Sequence, residues 1–164
     1  MQSNYNYHTM DSEDFTKIEK KNDNRISWED LYFEIAKSVS KRSRDPRTQV
    51  GAVLVKNKCV IGIGYNGAPR NCEKNIRWDT NEKYKYVIHA ELNAIANASN
   101  NNVAVAGSEL YITLSPCLEC IKLISQFQIR KVCFLEKYRD FKEVEEFANE
   151  CGIKLIQRHK GDIK

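Results

Sequence analysis

Tyr86-Val87-Ile88-His89-Ala90-Glu91-Leu92-Asn93-Ala94-Ile95 and Leu110-Tyr111-Ile112-Thr113-Leu114-Ser115-Pro116-Cys117-Leu118-Glu119-Cys120 are the stretches that decide this fold. The first opens an alanine-rich run, His89 to Ser99, suited to a helix. The second carries a β-branched strand, Glu109 to Leu114, through Ser115-Pro116 into a second helix over Cys117 to Phe127. On such a helix Cys120 lies one turn after Cys117 on the same face. If His89 opens the first helix and Cys117 the second, an imidazole and two thiols can converge at facing helix N-termini, where the positive dipole ends favour thiolates. That is a zinc-type donor set, and three ligands leave a fourth position open for water. A closed site, with His8, His159 or another cysteine as fourth ligand, is the structural alternative.

Outward from these stretches the chain alternates strands and helices. Residues 1–26 are rich in Asn, Ser, Lys, Asp and Glu without a helical or strand period, and read as a flexible or partner-docked tail. Residues 27–164 read as one folded domain. Ser27 suits an N-cap, and Trp28, Leu31, Tyr32, Ile35, Ala36 and Val39 recur at helical spacing, with the helix ending before Asp45-Pro46. Val50 to Val55 and Val60 to Gly64 form a hairpin about Lys56-Asn57-Lys58, and Gly62 to Gly67 reads as a loop. Val132 to Leu135 is a further strand. Phe141, Val144, Phe147 and Ala148 mark a helix closed by Gly152, before a last strand at Ile153 to Ile156. The expected architecture is α/β, a mixed β-sheet of about five strands sandwiched by helices.

Composition sets the outer bounds. The 164 residues are 41% hydrophobic and 29% charged, enough for one core. Lys plus Arg total 26 against 22 Asp plus Glu, a formal charge of +4 that suits an anionic ligand. The positive charge is dispersed, without the basic stripe interleaved with aromatics that polynucleotide binding needs, so nucleic acid is not an expected partner. No stretch has the length of a membrane span and no apolar signal core opens the chain, so a cytoplasmic, reducing setting is expected. Cys59, Cys72, Cys133 and Cys151 are then most simply buried or partly buried thiols.

Glu91 stands two residues from His89 and is not needed as a ligand. The pattern H-x-E followed by P-C-x-x-C is an established signature of zinc-dependent nucleobase deaminases. In that chemistry Glu91 would accept a proton from water, deliver it to N3 of a pyrimidine as oxygen attacks C4, and assist loss of ammonia. As a bare helix residue it would only complement the dipole. Asn93 is equally compatible with capping, packing and positioning a neighbour.

Around the motif, Arg42-Ser43-Arg44-Asp45-Pro46-Arg47-Thr48-Gln49-Val50-Gly51-Ala52 and Gly62-Ile63-Gly64-Tyr65-Asn66-Gly67-Ala68-Pro69-Arg70 extend the likeness. With these segments the chain resembles the deoxycytidylate (dCMP) deaminases of the cytidine deaminase superfamily. The resemblance implies a cytidine deaminase-like fold, one catalytic Zn2+ per chain and hydrolysis of dCMP to dUMP and ammonia in pyrimidine nucleotide biosynthesis, feeding thymidylate synthesis. It places Asn66 on the sugar, Arg47 near the substrate, and Tyr138 and Arg139 beside the 5′-phosphate. A guanidinium suits that last role because it can grip an anion with two hydrogen bonds. Tyr65 and Tyr138 are equally compatible with stacking on the base and with a structural role.

Many relatives are allosteric hexamers, activated by dCTP with Mg2+ and inhibited by dTTP. By resemblance Arg42, Asp45, Gly64, Tyr65, Asn66 and Gly67 lie near that regulatory nucleotide. The chain lacks the Cys- and His-bearing insertion that some viral relatives carry before the His-Ala-Glu motif, so no second structural zinc is expected. Two other readings compete: a cytidine-type deaminase of another substrate (dCTP, free cytidine or a polynucleotide), and a catalytically silent nucleotide-binding regulatory module. The intact Glu91 argues against the second.

Overall fold

In the computed structural model, the described residues are 25–72 and 76–159, and they build a five-stranded mixed sheet of order β2-β1-β3-β4-β5. The strands are β1 (Gly51–Lys56), β2 (Cys59–Tyr65), β3 (Glu109–Leu114), β4 (Lys131–Glu136) and β5 (Lys154–Gln157). The helices are α1 (Trp28–Ser40), α2 (Ala90–Asn100), α3 (Leu118–Gln126) and α4 (Phe141–Glu150). β1 pairs antiparallel with both β2 and β3, whereas β3, β4 and β5 run parallel. Parallel strands need crossovers, and α3 and α4 supply them. Most of the tail expected over residues 1–26 lies outside the described residues.

Strand alternation sorts the side chains into two layers. Ala52, Leu54, Leu110, Ile112, Val132 and Phe134 face one core, which α2, α3 and α4 complete with Ala94, Ile95, Ile121, Ile124, Val144 and Ala148. Val53, Val55, Tyr111 and Cys133 face the other, which α1 closes with Tyr32, Phe33 and Ala36. That is the period-2 pattern of strands covered on both faces. Ser27 caps α1 by accepting the Asp30 N–H at 3.1 Å, and Glu29 and Asp30 occupy its first turn. Trp28 belongs to that same turn and remains 54% exposed.

Three expectations are corrected. The hairpin turn is Asn57-Lys58, both at positive φ (52° and 62°), so β2 begins at Cys59. β2 then continues through Tyr65, so Gly62 and Gly64, which the strand over Val60 to Gly64 and the loop over Gly62 to Gly67 both claim, are strand residues, and the loop starts only after Tyr65. They are glycines because α2 lies directly on them: a Cβ on Gly64 would come within 2.3 Å of the Ala90 carbonyl oxygen, and one on Gly62 within 2.6 Å of the Ala94 carbonyl oxygen. Cys59 and Cys72 are exposed and not buried thiols, Cys59 because it opens the edge strand.

Asn93 and Asn97 sew α2 to that edge. Their amides donate to the carbonyls of Tyr65 (2.9 Å) and Ile63 (2.8 Å). These bonds, with the glycine contacts, set the height of α2 above the sheet and so the place of its N-terminus.

Candidate active site

His89 is the N-cap of α2 and Cys117 the N-cap of α3, both in extended backbone conformation, and neither side chain caps its own helix. Each candidate ligand therefore stands just before its helix and not within its first turn, and both side chains remain available at the positive helix ends. Cys120, one turn into α3, is buried. His89 Nδ1 lies 3.5 Å from Cys117 Sγ and 3.4 Å from Cys120 Sγ.

Those spacings test whether zinc fits. With Zn–N near 2.0 Å and Zn–S near 2.3 Å, a tetrahedron has an N to S edge of about 3.5 Å. The three donors already hold that separation, and one imidazole with two thiols is a zinc-type set. No further His, Cys, Asp or Glu joins the cluster among the described residues, His159 included. His8 lies outside them.

The electrostatics single out Cys117 as the anionic sulfur, since the hydrogen bond with Cys117 and burial raise the Cys120 thiol. The Cys117 thiol is pushed down to about 4, chiefly because the Cys120 thiol donates to its sulfur; burial opposes this, and His89 reinforces it. The His89 imidazole is raised, first by its hydrogen bond with Cys117, against desolvation and with help from the Glu91 charge. Glu91, in the first turn of α2 and only 4% exposed, has its carboxyl raised by burial, against its own backbone N–H and the His89 charge. A buried carboxyl raised in a cavity wall beside His89 and Cys117 is the environment of a proton carrier.

His89, Glu91 and Cys117 line one cavity together with Asp45, Thr48, Asn66, Lys83, Tyr84, Val87, Ser115, Tyr138 and Arg139. Asn66 is held firmly: its Oδ1 accepts the Val50 N–H at 2.8 Å and its Nδ2 donates to the Thr48 carbonyl at 2.9 Å. One amide N–H of that side chain is left over for a ligand. Tyr138 is tied to the metal turn, because its N–H donates to Ser115 Oγ at 2.8 Å and the Ser115 N–H donates to the Glu136 carbonyl at 2.7 Å. Arg139 is exposed at the mouth, with its guanidinium 5.5 Å from the Tyr138 ring centroid.

Other named residues fall elsewhere. Arg47 does not line the cavity; it is exposed and donates to Asn81 Oδ1 at 3.0 Å. Arg42 is exposed after the end of α1. Gly64 is spent on the α2 contact, and Tyr65, absent from the cavity wall, packs toward Gly67. Asp45, by contrast, is in the cavity wall and buried.

Sequence reasoning missed Lys83, Tyr84, Val87, Thr48 and Ser115. Lys83 is 1% exposed and pairs with Asp45 at 2.5 Å. It sits in Lys83-Tyr84-Lys85-Tyr86, where no hydrophobic period marks one lysine as buried.

Comparison with known proteins agrees with this geometry. Residues 26–136 match the family model described as cytidine and deoxycytidylate deaminase zinc-binding region. The human deoxycytidylate deaminase is 43% identical over 136 residues, covering 76% of this chain and 74% of the relative. The ComE operon protein 2 of Bacillus subtilis is 33% identical over 136 residues, covering 81% of this chain and 72% of the relative. Among solved structures, the dCMP deaminase of cyanophage S-TIM5 in complex with dCMP and dUMP superposes with a TM-score of 0.69 at 31% identity, covering 78% of this chain and 94% of that one. The chain belongs to the zinc-dependent cytidine and deoxycytidylate deaminase family.

Proposed function

We propose that this protein hydrolyses dCMP to dUMP and ammonia, supplying thymidylate synthesis. The observation that carries the reading is the buried carboxyl of Glu91 beside the His89, Cys117 and Cys120 donors, in a cavity whose mouth holds Arg139. The likeness to deoxycytidylate deaminases over most of the chain supports dCMP in particular.

His89, Cys117 and Cys120 would hold zinc, which when bound supplies the Lewis acidity that lets water react near neutral pH. Glu91 moves the protons. It takes one from the attacking water and passes it to N3 of the cytosine as oxygen adds to C4, then takes the second proton from the hydroxyl now on C4 and gives it to the departing amino group, so that ammonia leaves and C4 keeps a carbonyl. Burial raises the Glu91 carboxyl above its usual range, which favours its holding the proton between the two transfers. Asn66 orients the sugar through its remaining amide N–H, and Arg139 with Tyr138 receives the 5′-phosphate.

The wider reading includes one Zn2+ per chain, a homo-oligomer of hexameric type, activation by dCTP with Mg2+ and inhibition by dTTP at a site between subunits, and a cytoplasmic location. No helix among the described residues is long and apolar enough to cross a membrane. Residues 1–26 are proposed as a tail to the catalytic domain. Ammonia release from a panel of dCMP, dCTP, deoxycytidine, CMP and dAMP tests the substrate. Fastest turnover of dCMP is expected, and preference for another member replaces the reading. Sigmoidal dCMP kinetics, made hyperbolic by dCTP, test the regulation.

A further inference from the structure

Lys83 is the deepest cation of the cavity wall and belongs to no part of the proton chemistry. It lies on a short 3-10 helix, Asn81–Lys85, capped by Thr80. Its ammonium bonds Asp45 Oδ2, while Asp45 Oδ1 accepts the backbone N–H groups of Arg47 (2.9 Å) and Thr48 (3.1 Å). Ser43 Oγ accepts the Asp45 N–H at 3.2 Å and donates to the Asn66 carbonyl at 2.8 Å. From Lys83 the chain runs through Tyr84 and Val87 of the wall to Ile88, which bridges to Gly67, and then to His89. One ion pair thus joins the segment that leads into His89 to the segment that carries Thr48 and, through Ser43, to Asn66.

A buried ion pair is a weak source of stability, since an apolar pair of similar size commonly does as well or better. What the pair does supply is a fixed distance between two segments. We propose that Asp45 and Lys83 act as positioning residues, a clamp that sets the width of the cavity and so holds the nucleotide in register with Glu91. The clamp rests on the substrate reading above only in taking a nucleotide as ligand.

Lys83→Met keeps the length of the side chain and removes the charge. Asp45→Asn/Lys83→Met, the double variant, also removes the stranded carboxylate, and Asn keeps an oxygen for the Arg47 and Thr48 N–H groups. Kinetics are measured on whichever nucleotide of the panel the wild type turns over fastest, so failure of dCMP as substrate is seen separately. With the clamp open, KM is expected to rise about 10- to 100-fold in both variants, by more than kcat falls, because a wider cavity loses charge-assisted hydrogen bonds to the bound nucleotide, each worth about one to two decades of affinity. Zinc content should stay at one per chain. The double variant should regain thermal stability relative to Lys83→Met without regaining KM, which also covers the case in which the single variant fails to fold. Wild-type KM in either metal-replete variant, or KM recovering together with melting temperature in the double variant, overturns the proposal.

Discussion

Gly64 of β2 and Ala90, the first residue of α2, approach so closely that a Cβ on Gly64 would meet the Ala90 carbonyl oxygen at 2.3 Å and the Ala94 nitrogen at 2.3 Å. Both obstacles are helix backbone and cannot rotate aside. Gly64→Ala must therefore lift the α2 N-terminus, which carries His89 and Glu91. Overpacking of this kind costs about 1–3 kcal/mol. In a domain of this size that is roughly 2–10 °C of melting temperature. Weaker zinc retention should accompany it, read by dialysis against chelator. Unchanged stability and metal affinity would mean that β2 can yield where α2 cannot.

Glu91→Gln separates metal binding from proton transfer. The glutamine side chain fits the same buried space, and His89, Cys117 and Cys120 are untouched, so zinc should remain at one per chain by atomic absorption. Turnover should fall by at least the 10²- to 10⁴-fold that general acid–base catalysis typically supplies. Near-normal activity in the metal-replete variant would remove Glu91 from the mechanism.

Cys120→Ala should behave in the opposite order, losing metal first and activity as a result. Cys120 is both candidate donor and core residue, packed with the buried side chains of α3. Metal binding and folding are coupled, so the zinc-dependent part of the melting temperature should vanish. Comparing wild type and variant with and without chelator isolates it: chelator should lower the wild-type transition and leave that of the variant unchanged.

The metal motif and the sheet were legible because both are local. Cys117 and Cys120 declare a shared helix face by spacing alone, and the alternation of Val53 with Leu54, or Tyr111 with Ile112, declares strands covered on two faces. What stayed hidden depends on contacts distant in sequence. Lys83 finds Asp45 across 38 residues, and nothing in its neighbours distinguishes it from the solvated Lys85. The loop read over Gly62 to Gly67 starts too early because glycine signals a turn when the helix pressing on a strand is not visible. Cys59 is exposed because β2 is an edge strand, and strand order cannot be read from one sequence.

Arg139→Ala tests phosphate recognition. The guanidinium stands at the cavity mouth near Tyr138 and is free of any salt bridge among the described residues, so its removal should leave stability unchanged. A charge-assisted hydrogen bond is worth roughly 1.5–3 kcal/mol, about one to two decades in kcat/KM. That loss should appear with dCMP and be nearly absent with deoxycytidine, which has no phosphate. Equal losses on both would make Arg139 a support for the loop.

Asp45 gives the pH prediction. Burial alone would raise its carboxyl, but the Lys83 ammonium and the N–H groups of Arg47 and Thr48 outweigh burial and hold it below its usual value. A folded-state pKa below the unfolded value of about 3.9 favours the folded form at all pH above the unfolded value. That contribution disappears as pH falls through the folded pKa. In Asp45→Asn the charge is absent at every pH, and Lys83 is stranded throughout; in the wild type Lys83 is stranded only once Asp45 is protonated. The melting-temperature gap between the two proteins should therefore be widest near pH 6–7 and shrink below about pH 4. Loss of zinc in acid lowers both curves, so the gap is the quantity to follow, with chelator present in both samples. A gap as wide at about pH 3 as at about pH 7 would trace the destabilisation to lost packing or backbone hydrogen bonds and not to the ion pair.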